Sequence, residues 1–304
     1  MTDILIEKIL KTSNPTCVGL DTAFEYLPEN MRKFCRNFSD VGKAFIDYNV
    51  SLIDKLKDVI PAVKVQAAYY EMYGPYGAAA YFATLREAKK AGLVVIADAK
   101  RNDIGSTAAC YSKAYLGETE VNGVSEPAFP SDYLTVNGYL GSDGIEPFLA
   151  DCKRCDKGIF VLVKTSNPSS GQFQNRRFAS GETLYEAMGA LVEEWGSASV
   201  GKYGYSDVGA VVGATHPEEA AILRELMPHT FFLIPGYGAQ GGKADDLAVC
   251  FDARGLGGIV NNSRGILCAN KSEKYKGMNY LDAARAAVLD MREDIALSLS
   301  RRKI

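Results

Sequence analysis

Histidine and tryptophan are scarce in this sequence of 304 residues. It contains two histidines, His216 and His229, and a single tryptophan. His216 is followed by Pro217 and two glutamates, a pattern typical of the first turn of a helix. Ser-His-Asp hydrolases and histidine-rich metal centres both depend on histidine side chains. The sequence therefore argues against both classes.

Long apolar stretches and an excess of basic charge are also missing. No segment approaches 18 uninterrupted apolar residues, so we expect no membrane span. The first ten residues lack the apolar centre of a signal peptide. A formal net charge of −3 argues against a nucleic-acid-binding surface, although local sites for small anions remain possible. Seven scattered cysteines, an odd number, favour free thiols. We therefore expect a cytoplasmic protein.

The chain is rich in short apolar runs that alternate with helix-forming segments. Eight such strand–helix units are what a (β/α)₈ TIM barrel requires, and no Pro/Gly/Ser-rich linker divides them. We expect one domain over residues 1–304, and a doubly wound open α/β sheet is the alternative. The predicted strands are Thr16–Leu20, Ala62–Ala67, Leu93–Ala97, Tyr133–Val136, Gly158–Val163, Val208–Gly213, Phe231–Ile234 and Gly258–Val260, and the helical segments lie near 40–58, 75–91, 104–116, 142–154, 181–199, 216–227, 243–255 and 281–300.

Charged residues follow the third run directly. Asp98 and Lys100 come after Leu93–Ile96, and alternation along a strand places them on one face. An acid beside a base at the end of a buried strand suggests catalysis. The alternative is a structural ion pair, with Asp103 capping the next helix. Lys64 lies within the otherwise apolar second run, where an unpaired charge is costly to bury, and this supports a site.

Glycines follow the seventh run. Gly236, Gly238 and Gly241 match the dinucleotide pattern GxGxxG, but the next strand ends in two asparagines rather than an acid. We therefore predict the phosphate site that barrels build from the loops after strands seven and eight. Backbone N–H groups, a helix N-terminus and Arg264 would bind the anion. Tight turns and a surface arginine are the alternative.

Two connections are unusually long and polar. One spans 116–132 and the other 166–181. Long loops in a compact domain are often lids or binding loops, and otherwise simple insertions. The second follows a strand directly, at the end of a barrel where active sites form. We expect it to be a lid.

Together these residues resemble the orotidine 5′-monophosphate decarboxylase family, in its longer bacterial-type form. The resemblance extends from Val18 to Gly265. Its most specific element is Asp98-x-Lys100-x-x-Asp103-Ile104-Gly105-x-Thr107, supported by the loop Pro-Gly-x-Gly-Ala-Gln-Gly-Gly. The resemblance implies conversion of orotidine 5′-monophosphate to uridine 5′-monophosphate and CO₂, without a metal or an organic cofactor.

The family's site residues map onto this chain. Lys64, Asp98, Lys100 and Asp103 would form an alternating charge array, with Lys100 as the proton donor. The resemblance also implies a homodimer in which Asp103 and Thr107 enter the partner's site. Tyr237 is the nearest candidate tyrosine for the phosphate, and Asn137 is expected to face the site without an assigned role. The implied substrate-binding residues are Asp21 and Thr107 for ribose, Ser166 for the pyrimidine, and Gln240, Gly241 and Arg264 for phosphate.

Two alternatives remain open. A sugar-phosphate lyase or decarboxylase of the same barrel type would use Mg²⁺ and would need an added acid on the second strand. That strand carries Lys64 and Gln66, with Glu71 beyond it. A catalytically silent nucleotide-phosphate-binding protein is the second alternative. The Lys-Asp-Lys-Asp set argues against it, because binding alone does not need an acid beside a base.

Overall fold

Eight parallel strands close into a barrel. The structure is a computed structural model and describes residues 1–238 and 242–301. Each strand pairs with the next one along the chain, and the last pairs with the first. This confirms the TIM barrel and excludes the open sheet. The strands are β1 (Thr16–Gly19), β2 (Ala62–Gln66), β3 (Val94–Arg101), β4 (Tyr133–Val136), β5 (Gly158–Lys164), β6 (Val208–Val212), β7 (Phe232–Pro235) and β8 (Gly258–Asn262).

Helices surround the barrel and shield the outer faces of its strands. Because both strand faces are covered, the strands consist mainly of buried Val, Ile, Leu and Phe. The α-helices are Thr2–Thr12, Glu29–Arg32, Phe38–Leu56, Ala68–Glu71, Gly74–Lys90, Gly105–Tyr115, Ser142–Cys155, Gly171–Gln174, Leu184–Gly196, Pro217–Leu226, Ala244–Leu247, Arg264–Leu267 and Tyr280–Arg301. Short 3₁₀ turns are Phe24–Tyr26, Gly138–Leu140, Pro168–Ser170, Ser197–Ser199, Ala248–Cys250, Ala269–Lys271 and Glu273–Tyr275. None of the described helices is both long and apolar enough to cross a membrane.

The amino end of the barrel is closed by the helix Thr2–Thr12. Its Leu5 and Ile6 are fully buried among side chains of the barrel interior, including Phe160. The Thr2 hydroxyl shares a hydrogen bond of 2.8 Å with the hydroxyl of Tyr133. With this end plugged, the carboxyl ends of the strands are left to form a pocket, as in other barrels.

Three features differ from the sequence-based expectation. The strand β3 continues to Arg101, four residues beyond the predicted run. The seventh helical segment is short, because Ala244–Leu247 is followed by a 3₁₀ turn. The connection 116–132 contains an antiparallel hairpin, Thr119–Val121 paired with Val124–Glu126, that lies outside the barrel sheet. All six residues of the hairpin strands are exposed, so the hairpin adds nothing to the core.

Candidate active site

The carboxyl ends of the strands surround a cavity of about 480 Å³. Of the ten predicted site residues, six line it: Asp21, Lys64, Asp98, Lys100, Ser166 and Arg264. Gln240 and Gly241 lie outside the described residues. Asp103 and Thr107 belong to the same chain segment but contribute no part of the cavity lining that the structure describes.

A continuous row of opposite charges crosses the floor of the cavity. Lys64 Nζ donates to Asp98 Oδ2 at 2.8 Å and to Asp21 Oδ1 at 3.1 Å. Lys100 Nζ donates to Asp98 Oδ1 at 2.7 Å. The two lysines therefore bind opposite oxygens of one carboxylate. This is the predicted contact between Asp98 and Lys100, and Lys64 extends it to a second carboxylate, that of Asp21, which follows β1.

Asp98 is buried, and each of its two carboxylate oxygens accepts two hydrogen bonds. Besides the two lysines, Gln66 Nε2 donates to Oδ2 at 2.9 Å and the Thr135 hydroxyl donates to Oδ1 at 2.9 Å. Burial alone would raise the pKa of Asp98, but the charges of Lys64 and Lys100 lower it well below the ordinary range. Asp98 is therefore a fixed negative charge whose orientation four donors determine.

Lys64 is a buried cation with two anionic partners. Burial by itself would lower the pKa of Lys64, but Asp21 and Asp98 raise it above its ordinary value, so the ammonium stays charged. Ser263, which follows β8, donates from Oγ to Asp21 Oδ2 at 2.8 Å. Gly19 makes this approach possible, because a Cβ at that position would lie 1.9 Å from Ser263 Oγ. Asp21 is thus clamped between two strand ends.

Lys100 differs from its neighbours in backbone and exposure. Its φ is +46°, a left-handed conformation that is rare for a non-glycine residue. The pairing of β3 with β4 is irregular here: three residues of β3 lie between the partners of Leu134 and Val136, opposite Thr135 alone. The Thr135 hydroxyl accepts the Lys100 N–H at 2.9 Å and fixes this turn. The Lys100 side chain is 46% exposed, so its ammonium is accessible from the cavity.

The described hydrogen bonds of Asp103 are with its two neighbours in the chain, Asn102 and Ile104. The φ of Asp103 is +117°, and its Oδ1 accepts the N–H of Ile104 at 2.9 Å. The next helix starts at Gly105 with Ile104 as its N-cap, so the capping alternative for Asp103 is wrong. Thr107, in the first turn of that helix, is exposed. Asp103 is half-buried, and neither residue is among those that line the described cavity.

The phosphate end is partly described. Gly236 and Gly238 have φ values of +104° and +70°, which explains the glycines in this turn. Arg264 starts a short helix and borders the cavity. Tyr237 also borders it, but its hydroxyl donates to Asp294 Oδ2 at 2.6 Å. This engaged hydroxyl weakens the candidacy of Tyr237 as a phosphate ligand.

The connection 166–181 approaches the cavity at its start. Thr165, Ser166 and Asn167 line the pocket, and the segment then forms a 3₁₀ turn and the helix Gly171–Gln174. Asn137, expected to face the site, instead accepts the Tyr139 N–H at 3.0 Å and caps a 3₁₀ turn. Asn137 is not among the residues that line the described cavity.

The alternative metal chemistry can be tested against the ligand set. Among residues 1–238 and 242–301, no group of three or more His, Cys, Asp or Glu side chains is placed to hold a metal ion. Glu71, the acid beyond β2, forms an ion pair with Arg101 at 2.8 Å. The strand β2 itself carries Lys64 and Gln66 and no acidic residue.

Three residues of the array were missed in the sequence. Gln66 lies two positions after Lys64 and so shares its strand face, a signal that could have found it. Thr135 and Ser263 carry no such signal, because their role depends on which strand ends are neighbours. The register that places Gln66 opposite Asp98 becomes visible only in the folded barrel.

Comparison with known proteins is consistent with this geometry. The sequence matches the profile of the Orotidine 5′-phosphate decarboxylase / HUMPS family over residues 15–276. It is 44% identical over 293 residues to a curated orotidine 5′-phosphate decarboxylase of Rhodopirellula baltica, covering 94% of this chain and 96% of that protein. The structure of Leishmania donovani OMP decarboxylase is similar with a TM-score of 0.74 and 29% identity, over 98% of each chain. Leishmania donovani UMP synthase is similar with a TM-score of 0.77 and 30% identity over 98% of this chain, which spans 56% of that longer one.

Proposed function

Because the chain belongs to the orotidine 5′-phosphate decarboxylase / HUMPS family, we propose that its cavity performs the decarboxylation with Lys100 as the proton donor. The activity that follows from the family is a carboxy-lyase reaction, in which orotidine 5′-monophosphate gives uridine 5′-monophosphate and CO₂ for pyrimidine nucleotide synthesis. The observation that carries the assignment of roles is the Lys64–Asp98–Lys100 row, placed in the same cavity as Arg264.

The reaction needs a cation opposite one carbon atom. When the bond from C6 to the carboxylate breaks, its electron pair stays on C6 and CO₂ leaves as a neutral molecule. No adjacent carbonyl can take this charge as an enolate. The Lys100 ammonium stabilises the developing charge and then transfers a proton to C6, and solvent reprotonates the amine. The accessible side chain of Lys100 suits both steps.

Asp98 acts on the ground state of the substrate carboxylate. Two negative charges at close range repel each other, and this repulsion disappears as neutral CO₂ departs. Asp98 cannot relieve it by protonation, since its two lysine partners keep its pKa low. Lys64 and Lys100 also orient the Asp98 carboxylate. Through its contact with Asp98, the Lys100 ammonium is aligned for the transition state rather than for the substrate.

The remaining binding roles follow the lining of the cavity. Asp21 would accept hydrogen bonds from ribose hydroxyls, since each of its oxygens has a single described partner and a second lone pair. Ser166 would contact the pyrimidine, and Arg264 would bind phosphate as a planar fork of donors. Gln240 and Gly241 are proposed for the same phosphate from the family pattern alone.

We also propose a homodimer in which Asp103 and Thr107 complete the partner's site. Asp103 borders a surface with exposed apolar side chains, of which Ile104 is 51%, Tyr139 68% and Leu140 44% exposed. Gly144 lies beside both the Asp103 carbonyl and the Leu140 side chain, which joins these elements into one surface. An exposed apolar patch of this kind is typical of a protein interface.

The odd number of cysteines supports a reducing cytoplasmic location.

A turnover assay tests the proposed function. Purified protein is mixed with orotidine 5′-monophosphate, and the fall in substrate absorbance is followed with and without EDTA. We expect the same rate in both. No turnover would contradict the proposal, and turnover that EDTA abolishes and Mg²⁺ restores would favour the lyase alternative.

A further inference from the structure

A second buried lysine lies outside the charge array. Lys164 ends β5, and its side chain is 1% exposed. Its Nζ donates to Asn175 Oδ1 at 2.5 Å and lies 5.3 Å from the centre of the Tyr185 ring. The nearest carboxylate, on Glu219, is 3.9 Å away. Burying an ammonium with so little anionic support is costly, so its retention points to a function other than stability.

An irregularity in β5 directs Lys164 away from the cavity. Leu162 lines the cavity, so strict alternation would turn Lys164 toward it as well. Leu162 and Lys164, however, pair with consecutive residues of β6, Val211 and Val212, so β5 contains one extra residue here. Such a bulge re-aims the side chains that follow it. Lys164 therefore faces Tyr185 on the surrounding helix.

The chain after Lys164 folds back onto the end of β5. The Thr165 N–H donates to Gln174 Oε1 at 3.0 Å, and Gln174 Nε2 donates to the Thr165 hydroxyl at 2.7 Å. The contact from Lys164 to Asn175 lies beside these two. Two consecutive residues at one end of the segment Lys164–Asn175 are thus joined to two at the other end, and Ser166 lies inside the closed loop.

We propose that Lys164 is a positioning residue that fixes Ser166 for contact with the pyrimidine, by tying the end of β5 to Asn175. The inference rests on the proposed function, since it takes Ser166 as the pyrimidine contact. The Thr215 hydroxyl, which donates to the Ser166 carbonyl at 3.2 Å, supports the same placement from the connection after β6. Without the hydrogen bond from Lys164 to Asn175, the loop is still covalently connected but loses one of the contacts that hold its two ends together.

Ligand pairs separate positioning from a general structural role. Uridine 5′-monophosphate and ribose 5-phosphate share phosphate and ribose, and only the first has a pyrimidine. Lys164→Met keeps the length and burial of the side chain and removes its charge. We expect Lys164→Met to weaken the binding of uridine 5′-monophosphate about three- to tenfold, which is the range of one hydrogen bond. The affinity for ribose 5-phosphate should change less than about twofold. Isothermal titration calorimetry measures both affinities.

Three further variants make the experiment decisive. Asn175→Leu removes the acceptor at an exposed position and should reproduce the effect of Lys164→Met, which keeps the test open if the buried variant does not fold. In a Ser166→Ala background, Lys164→Met should add less than about twofold, because the contact that it positions is already lost. Lys157→Met, at the opposite end of β5, is the matched control and should change neither affinity.

The outcomes are distinguishable. Equal weakening of both ligands, no weakening of either, or full additivity with Ser166→Ala would overturn the positioning role. If the unaltered protein binds uridine 5′-monophosphate no better than ribose 5-phosphate, the pyrimidine site itself is wrong. That result would refute the proposed function first, and the inference with it.

Discussion

Replacing Lys100 by alanine should abolish turnover and leave the fold and product binding intact. The structure supports the first half through the position of the ammonium, which lines the cavity and, among residues 1–238 and 242–301, donates to one oxygen of Asp98. Loss of one electrostatic donor in an active site typically reduces kcat by about 10²–10³-fold. General acid catalysis contributes about 10²–10⁴-fold. Since Lys100 is proposed to supply both, we expect kcat to fall by at least about 10³-fold.

The second half of the prediction follows from the partners that Lys100 leaves behind. Asp98 keeps its hydrogen bonds from Lys64, Gln66 and Thr135, so no unpaired charge is created. The Lys100 side chain is 46% exposed, and exposed ion pairs stabilise by about 0–1 kcal/mol. Alanine keeps the strain of the positive φ, which glycine would relieve. We therefore expect the free energy of unfolding to change by about 1 kcal/mol or less.

Single-turnover kinetics with excess enzyme is the appropriate assay, because product release cannot then hide the chemical step. Calorimetry gives the affinity for uridine 5′-monophosphate, which we expect to change less than about threefold, since this product carries no charge at C6. Lys153→Ala, at an exposed position on the helix Ser142–Cys155, is the control for charge loss. A Lys100→Ala protein that keeps more than about a tenth of the normal rate would refute Lys100 as proton donor.

The remaining predictions concern the rest of the site. Arg264→Ala should weaken the binding of orotidine and uridine monophosphates about 10–150-fold, the range of a charge-assisted hydrogen bond. An unchanged affinity for the product in calorimetry would place the phosphate site elsewhere. Lys64→Met should lower the free energy of unfolding by about 3–5 kcal/mol in urea titrations, because it breaks a buried ion pair; a change below about 1 kcal/mol would contradict that burial argument. Because the pKa of Asp98 is lowered in the folded protein, this carboxylate stabilises the fold above about pH 4, its unfolded pKa, and the stabilisation is lost as the pH falls toward the folded pKa. In urea titrations between pH 3 and 7, the free energy of unfolding of Asp98→Asn should therefore fall less steeply with acid than that of the unaltered protein. An identical slope would refute this. Mixing inactive Asp103→Ala with inactive Lys100→Ala protein should restore about a quarter of the sites, since random exchange gives about half heterodimers with one intact site each; mixtures that stay inactive after confirmed subunit exchange would exclude shared sites.

The barrel could be predicted from the sequence because strand and helix repeat eight times. Each predicted run overlaps a barrel strand. The run 133–136 has the same bounds as β4, and the run 208–213 is one residue longer than β6. Such runs are readable because both faces of a parallel barrel strand are covered, so the whole strand is apolar. The hairpin Thr119–Val121 with Val124–Glu126 was not predicted, since its exposed strands bear no burial signal.

The array was predicted in part, and partly for the wrong physical reason. Asp98 and Lys100 were expected to meet because residues two apart share a strand face. They do meet, at 2.7 Å, but Lys100 has left regular strand geometry, and Thr135 on the neighbouring strand fixes its backbone. The partners that orient Asp98 come from β2 and β4. Contacts between strands depend on register, which a single sequence does not reveal.

The irregular ends of β3 and β5 explain what the sequence could not. In both strands the apolar, regularly paired part ends where extra residues enter, and a lysine near the strand end then departs from its expected position. In β3 the departure gives Lys100 a turn that lets its ammonium reach back to Asp98. In β5 the irregular pairing turns Lys164 out of the cavity. Strict alternation would have turned Lys164 into the cavity and added a further cation to the charge array. The two irregular strand ends place one lysine at the cavity and the other beside the loop that follows β5. The geometry of the site therefore depends on features that hydrophobic periodicity does not encode.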